Sequence, residues 1–156
     1  MLITVELLER WHACADGLAS FRERYPNGVD SAAHLADLSV RQPIWRTWLA
    51  SNLAQYGSAE DRLALRTDPA SSVRLAVARY GSAEDRLALR NDPDANVRLA
   101  VARYGSAEDR LALRNDPDAN VRLAVAQYGS AEDRLALRND RAAGAHGDAF
   151  GSGTTK

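Results

Sequence analysis

Three groups of residues in this 156-residue chain have the types and spacing that could do chemistry. The first is Asp92-x-Asp94-x-Asn96, repeated as Asp116-x-Asp118-x-Asn120, which sets oxygen donors at alternate positions as a calcium loop does at its start. Such a loop needs glycine at its sixth position and glutamate at its twelfth. Here the glycine is missing and the twelfth position is Arg103. Asp92-Pro93 is instead a good helix start, with the aspartate as N-cap and proline at the first helical position, where a missing N–H costs nothing. The second group is His12 with Cys14. A cysteine–histidine nucleophile pair must face each other, whereas two residues apart on one helix turns them about 200° from one another. Cys14, the only cysteine, lies near an apolar helical face and is expected to be a small buried residue. His34 and His146 are isolated. The third group is arginine: Arg62, Arg86, Arg110 and Arg134 fall at one spacing, Arg66, Arg90, Arg114 and Arg138 at the same spacing, and Arg74, Arg98 and Arg122 likewise. Stacked at about 10 Å per unit, they form ladders of cations suited to phosphates or acidic peptides. The competing role is pairing with the parallel columns Asp61, Asp85, Asp109, Asp133 and Asp68, Asp92, Asp116, Asp140.

These columns exist because the sequence repeats. A 24-residue unit from Tyr80 to Arg103 recurs from Tyr104 to Gln127 with one change, Arg103 to Gln127. A copy from Tyr56 to Arg79 differs at Thr67, Ala70, Ser71 and Ser72, and a partial one runs from Tyr128 to about Asp140. A fixed short period is the signature of a solenoid, in which each unit buries its apolar face against its neighbours. Within a unit, Ser82 and Asp85 form a capping box for a helix over 83–90, short enough to be partly or wholly 3₁₀. A second helix follows from Asp92-Pro93, with Asp94 in its first turn, and ends at Gly105 in a left-handed cap. Val97, Ala100, Val101 and Tyr104 make one apolar stripe, the predicted core. Leu87 and Leu89 point different ways, as expected of a helix touching the copies before and after it. The fold class is therefore an all-α superhelical solenoid of short helix pairs with an N-terminal helical cap.

Residues 1–55 differ in composition and hold Trp11, Trp45 and Trp48. Thr4 can cap a helix with Leu7, Leu8, Trp11, Ala15 and Leu18 on its apolar face, and Asp30 a second helix to about Leu38. A third starts at Pro43, with Leu49 and Leu53 at the positions of Val73 and Val77. This is a degenerate first repeat helix, sealed by Trp45 and Trp48. Residues 56–140 are the solenoid. Residues 141–156 lack periodicity and are expected to be a disordered tail.

The pattern Asp-Pro-Asp-x-x-Val-Arg-x-Ala-Val-Ala, at Asp92–Ala102 and Asp116–Ala126, resembles the leucine-rich repeat variant family and the HEAT repeats. The resemblance covers residues 56 to about 140 and implies a right-handed superhelix alternating α- and 3₁₀-helices. Members of the variant family can carry an N-terminal iron–sulfur module held by clustered cysteines, but Cys14 stands alone, so no cluster is carried over. Leu7-Leu8 and Ala13-Cys14-x-Asp16 leading to Phe21-Arg22-x-x-Tyr25-Pro26-x-Gly28 are similar to a helical module on small bacterial and prophage proteins of unknown function.

The net charge is −1, and each full unit balances four acids with four arginines, so no overall attraction to nucleic acid or anionic membrane follows. The repeated units hold no His, Cys or Lys and no glycine-rich phosphate cradle. No catalytic residue, cofactor or metal ligand is assigned, and the chain is not expected to be an enzyme. No targeting segment or membrane span is read, and a reducing cytoplasm is the expected compartment. The expected role is a protein–protein interaction scaffold, with nucleic-acid binding through the arginine columns as the alternative. A third reading is self-assembly through an uncapped C-terminal end presenting Leu135 and Leu137.

Overall fold

Serine followed three residues later by aspartate sets the start of every unit of the array. The computed structural model describes residues 1–35 and 43–138, and the order of elements is β1 (Leu2–Ile3), α1 (Val5–Arg10), α2 (Ala15–Arg24), β2 (Val29–Asp30), α3 (Pro43–Tyr56), α4 (Ala59–Arg66), α5 (Ser71–Tyr80), α6 (Ala83–Leu89), α7 (Ala95–Tyr104), α8 (Ala107–Leu113), α9 (Ala119–Tyr128) and α10 (Ala131–Leu137). Ser58, Ser82, Ser106 and Ser130 each accept the N–H of the aspartate three residues on, and that aspartate accepts the serine's own N–H. These reciprocal boxes launch α4, α6, α8 and α10, whose Ala, Leu, Glu and Arg residues favour the helix. All four are α-helical and not 3₁₀. Only their exits tighten to i→i+3 bonds, as from Asp92 N–H to the Leu89 carbonyl and from Asp116 N–H to that of Leu113.

The second helix of each unit begins two residues later than the Asp-Pro step suggests. Asp94 is the N-cap of α7 and accepts the Asn96 N–H at 2.8 Å, while Asp92 accepts the Asp94 N–H at 2.9 Å in the preceding turn. Asp92 is diverted because an arginine of the previous unit occupies its carboxylate. Gly105 also departs from expectation. Its φ of −79° and ψ of −177° are extended, not left-handed. A side chain there would collide with the Val101 carbonyl oxygen and come within 2.8 Å of the Asp109 Cβ, so glycine is needed because the capping-box aspartate closes over it.

The second helices pack on one another in sequence, α3 on α5, α5 on α7 and α7 on α9, and each first helix lies against the second helices beside it. The molecule is an all-α repeat solenoid. Val73, Val77, Val97, Val101, Val121 and Val125 are fully buried along the inner layer, each contributing about 1.5–3 kcal/mol over the exposed state. Leu65, Leu89, Leu113 and Leu137 seal it from the first-helix side. Tyr104 sits at the rim, 37% exposed, so the core stripe ends one turn earlier than the sequence pattern implies. Leu87 is 52% exposed, against the expectation that both faces of the first helix would find neighbours. Consecutive second helices set the spacing, and the first-helix layer leaves that leucine outside.

In the N-terminal module, Thr4 accepts the Leu7 N–H and caps α1 as expected, but the single predicted helix breaks in two. His12 takes a left-handed φ of 59°, and Cys14 becomes the N-cap of α2, exposed and not buried as its apolar surroundings suggested. Leu2 and Ile3 pair antiparallel with Asp30 and Val29. Asp30 accepts the Ala32 N–H, and residues 31–35 are helical. The expected end of that helix at Leu38, the expectation for residues 141–156, and Asp140 lie outside the described residues. Among the described residues no helix is long and apolar enough to cross a membrane.

Candidate interaction surface

Two kinds of lock hold successive units together, and both use the arginines that the sequence offers as candidate ligand-binding columns. In the first, the buried capping-box aspartate receives a cation from the unit before it. Asp85 is met by Arg62 Nε at 2.9 Å and Arg66 at 3.6 Å, Asp109 by Arg90 at 3.9 Å, and Asp133 by Arg114 at 2.5 Å. Burial alone would push the Asp85 carboxyl up. The Ser82 N–H and hydroxyl and the Arg62 guanidinium outweigh it and hold that carboxyl below the usual carboxylate range. The hydrogen bond from Arg114 does the same for Asp133. The other arginines of this set turn to backbone: Arg86, Arg110 and Arg134 donate to the carbonyls of Gly81, Gly105 and Gly129 at 2.7, 2.8 and 3.0 Å. Arg134 and Arg138, in the last described helix and turn, are exposed.

In the second lock, Arg74 donates from Nε and Nη2 to the two Asp92 oxygens at 2.7 and 2.9 Å, while its Nη1 holds the Asp68 carbonyl at 2.7 Å. Arg98 repeats this on Asp116 at 2.8 and 2.9 Å and on the Asp92 carbonyl at 2.8 Å. One guanidinium thus ties its own Asp-Pro turn to the next. Burial works against the Asp116 charge, but the hydrogen bonds from Arg98 and the Asp118 N–H hold its carboxyl below the ordinary range. These carboxylates, which sequence spacing offers to a calcium ion, have their oxygens turned to guanidinium and backbone N–H groups.

A third column lies on the surface. Arg79 stands over the rings of Tyr80 and Tyr104 at 4.9 and 5.6 Å, and Arg103 over those of Tyr104 and Tyr128 at 5.4 and 5.3 Å. The result is an alternating ladder of ring and cation. Its limits are written in the sequence: Gln55 and Gln127 replace arginine before the first and last tyrosines, and Ser152 stands where a tyrosine would follow Tyr128. The one difference between two otherwise identical units falls where the bridging cation has no next ring in the repeat register.

What these locks leave open is an apolar ridge. Leu63, Leu87, Leu111 and Leu135 are 54%, 52%, 57% and 63% exposed, on the outer face of α4, α6, α8 and α10. Exposed Glu60, Glu84, Glu108 and Glu132 lie one turn before them on the same faces. Between α4 and α6 a shallow groove of about 450 Å³ is lined by Leu63, Ala83, Glu60 and Glu84 together with Arg62 and Arg66. No family model, no curated protein and no solved structure matches the chain. The function of this surface has therefore to be read from its own geometry.

The two leucines expected at the free end separate. Leu137 is buried, 6% exposed like its counterparts Leu89 and Leu113, in a helix that packs on α9, so it is not an open end residue. Leu135 belongs to the lateral ridge. Sequence reasoning missed that ridge because it sought a second buried face for the first helix, although four leucines in register three residues after an exposed glutamate were a readable signal. It missed the tyrosine ladder because Tyr104 was assigned to the core.

Proposed function

We propose that this protein is a non-enzymatic repeat scaffold that binds a protein partner through the leucine ridge on its first helices, and that the partner offers a basic amphipathic helix or extended segment. The observation that carries this reading is the four-leucine column, each leucine more than half exposed at the same place in successive units and preceded one turn earlier by an exposed glutamate. Apolar side chains of the partner would cover Leu87 and Leu111 while its lysines or arginines meet Glu84 and Glu108. The arginine columns support this reading indirectly, because Arg62, Arg66, Arg74, Arg90, Arg98 and Arg114 are paired with aspartates and so offer less positive charge to a phosphate backbone.

The test is capture of a partner, its identification, and calorimetry of the purified pair against the wild-type chain and a Leu87→Gln, Leu111→Gln variant. Loss of about two orders of magnitude in affinity with an unchanged helical spectrum is expected, since central apolar anchors dominate binding energy. Binding that survives this variant and is lost in Arg66→Gln, Arg90→Gln, with steep salt dependence, would favour the nucleic-acid alternative. A mass that rises with concentration and falls in Leu135→Glu would favour self-assembly.

A further inference from the structure

The N-terminal module contains a cavity of about 710 Å³, within the size range of small-ligand sites. Among the described residues, five aromatic rings stand on its lining. Phe21, Tyr25 and His34 form one cluster with ring centroids 5.1 to 5.3 Å apart, and Trp45 and Trp48 form an edge-to-face pair at 5.4 Å. Trp45 is held there by Gly17, where a Cβ would fall inside the indole, so the bare backbone of α2 is the seat of the ring. Asp16 and Glu23 belong to the same lining, and neither has an ion-pair partner among the described residues. In the array, by contrast, a cation meets each capping-box aspartate. Arg24, also on the lining, has its charge turned onto Tyr25, with Nε donating to the phenol oxygen at 3.1 Å and the guanidinium 5.7 Å from the ring centre.

Aromatic faces attract cations through their quadrupole, and the two carboxylates outnumber the one guanidinium of Arg24, which leaves a net negative lining that a neutral guest would not use. We infer that this cavity is a binding site for an alkylammonium group, seated against the aromatic walls with its charge facing Asp16 and Glu23. The inference is independent of the leucine ridge and uses none of its residues. A small quaternary amine and the methylated lysine side chain of a protein carry the same head group, and the volume admits either.

All three tryptophans report on the site, since Trp11 packs on Trp48 at 6.5 Å, and Cys14, exposed and the sole cysteine, lines the cavity. The experiment is a fluorescence titration of the full chain with choline, with a trimethyl-lysine peptide, and with neohexanol, the uncharged carbon isostere of choline. Saturable quenching by a cation is expected, with neohexanol about tenfold weaker or more. Saturation should also slow alkylation of Cys14. Asp16→Asn with Glu23→Gln, both exposed positions, should weaken binding severalfold without changing the helical spectrum, and Trp45→Ala should abolish it. Tighter binding of the peptide assigns the source to a protein side chain, and tighter binding of choline to a free amine. Equal binding of neohexanol, binding unchanged in the carboxylate variant, or no saturable response to either cation overturns the inference.

Discussion

An interior unit of the array and the cap in front of it meet the same requirements with different residues. Asp85 takes cations from Arg62 and Arg66 of the preceding unit, while Asp61, at the same place in the first unit, takes the Met1 amino group at 3.2 Å and the Ser31 hydroxyl. Asp92 is gripped by Arg74, whereas Asp68 is gripped by Arg46, because Ala50 occupies the position equivalent to Arg74 and the reaching arginine has moved one helical turn back along the longer α3. Tyr104 has arginines on both sides, while Tyr56 stacks on Trp11 with centroids 6.2 Å apart. A capped solenoid end thus replaces the lost neighbour contact by contact. The buried aspartate is the fixed element, and any cation that arrives from the right direction serves it.

If buried aspartates are the common element, acid should break cap and interior together. The carboxyls of Asp61, Asp85, Asp116 and Asp133 all titrate below their ordinary values in the folded chain, because hydrogen bonds from serines, backbone N–H groups and arginines outweigh burial. A group with a depressed folded pKa contributes stability that is present above its unfolded value of about 3.9 and lost as pH falls through the folded value. Helical content followed by circular dichroism should hold from neutrality to about pH 4 and collapse below it. Retention of the full thermal stability at pH 2 would show that these ion pairs contribute nothing net.

Single substitutions separate the two regions. Asp116→Ala strands Arg98 at an interior junction and should cost about 3 kcal/mol in urea unfolding, with a shallower transition as the array divides into two segments. Asp68→Ala, at the junction with the cap, should cost about as much if Arg46 is a full substitute for the repeat arginine. A much smaller loss would mean that the cap is held mainly by its tryptophans.

The smallest effect is the sharpest. Arg103→Gln, which copies Gln127 into the interior, should destabilise by about 0.5–1 kcal/mol through loss of one cation between two rings. The reverse change, Gln127→Arg, would place a cation beside Tyr128 alone and not between two rings, and should have an effect within about 0.5 kcal/mol of zero. Equal effects of the two changes would mean that the one difference between the units is unrelated to the end of the tyrosine ladder.

Features that depend on local periodicity are legible without any structure. The 24-residue repeat, the serine–aspartate capping boxes, the buried valines and the start of α3 at Pro43 follow from propensity, spacing and apolar pattern within about ten residues. What passes between units emerged only from the assembled array: that Asp92 holds Arg74 and leaves capping to Asp94, that Arg79 and Arg103 bridge tyrosines, and that Leu87 faces solvent while Leu89 is buried. The same is true of the end of α1 before Cys14 and of the seat of Trp45 on Gly17. The reason is physical. Helix periodicity fixes the direction of a side chain about its own axis, whereas which directions are occupied depends on the distance and tilt of the next helix, set by residues about one repeat away.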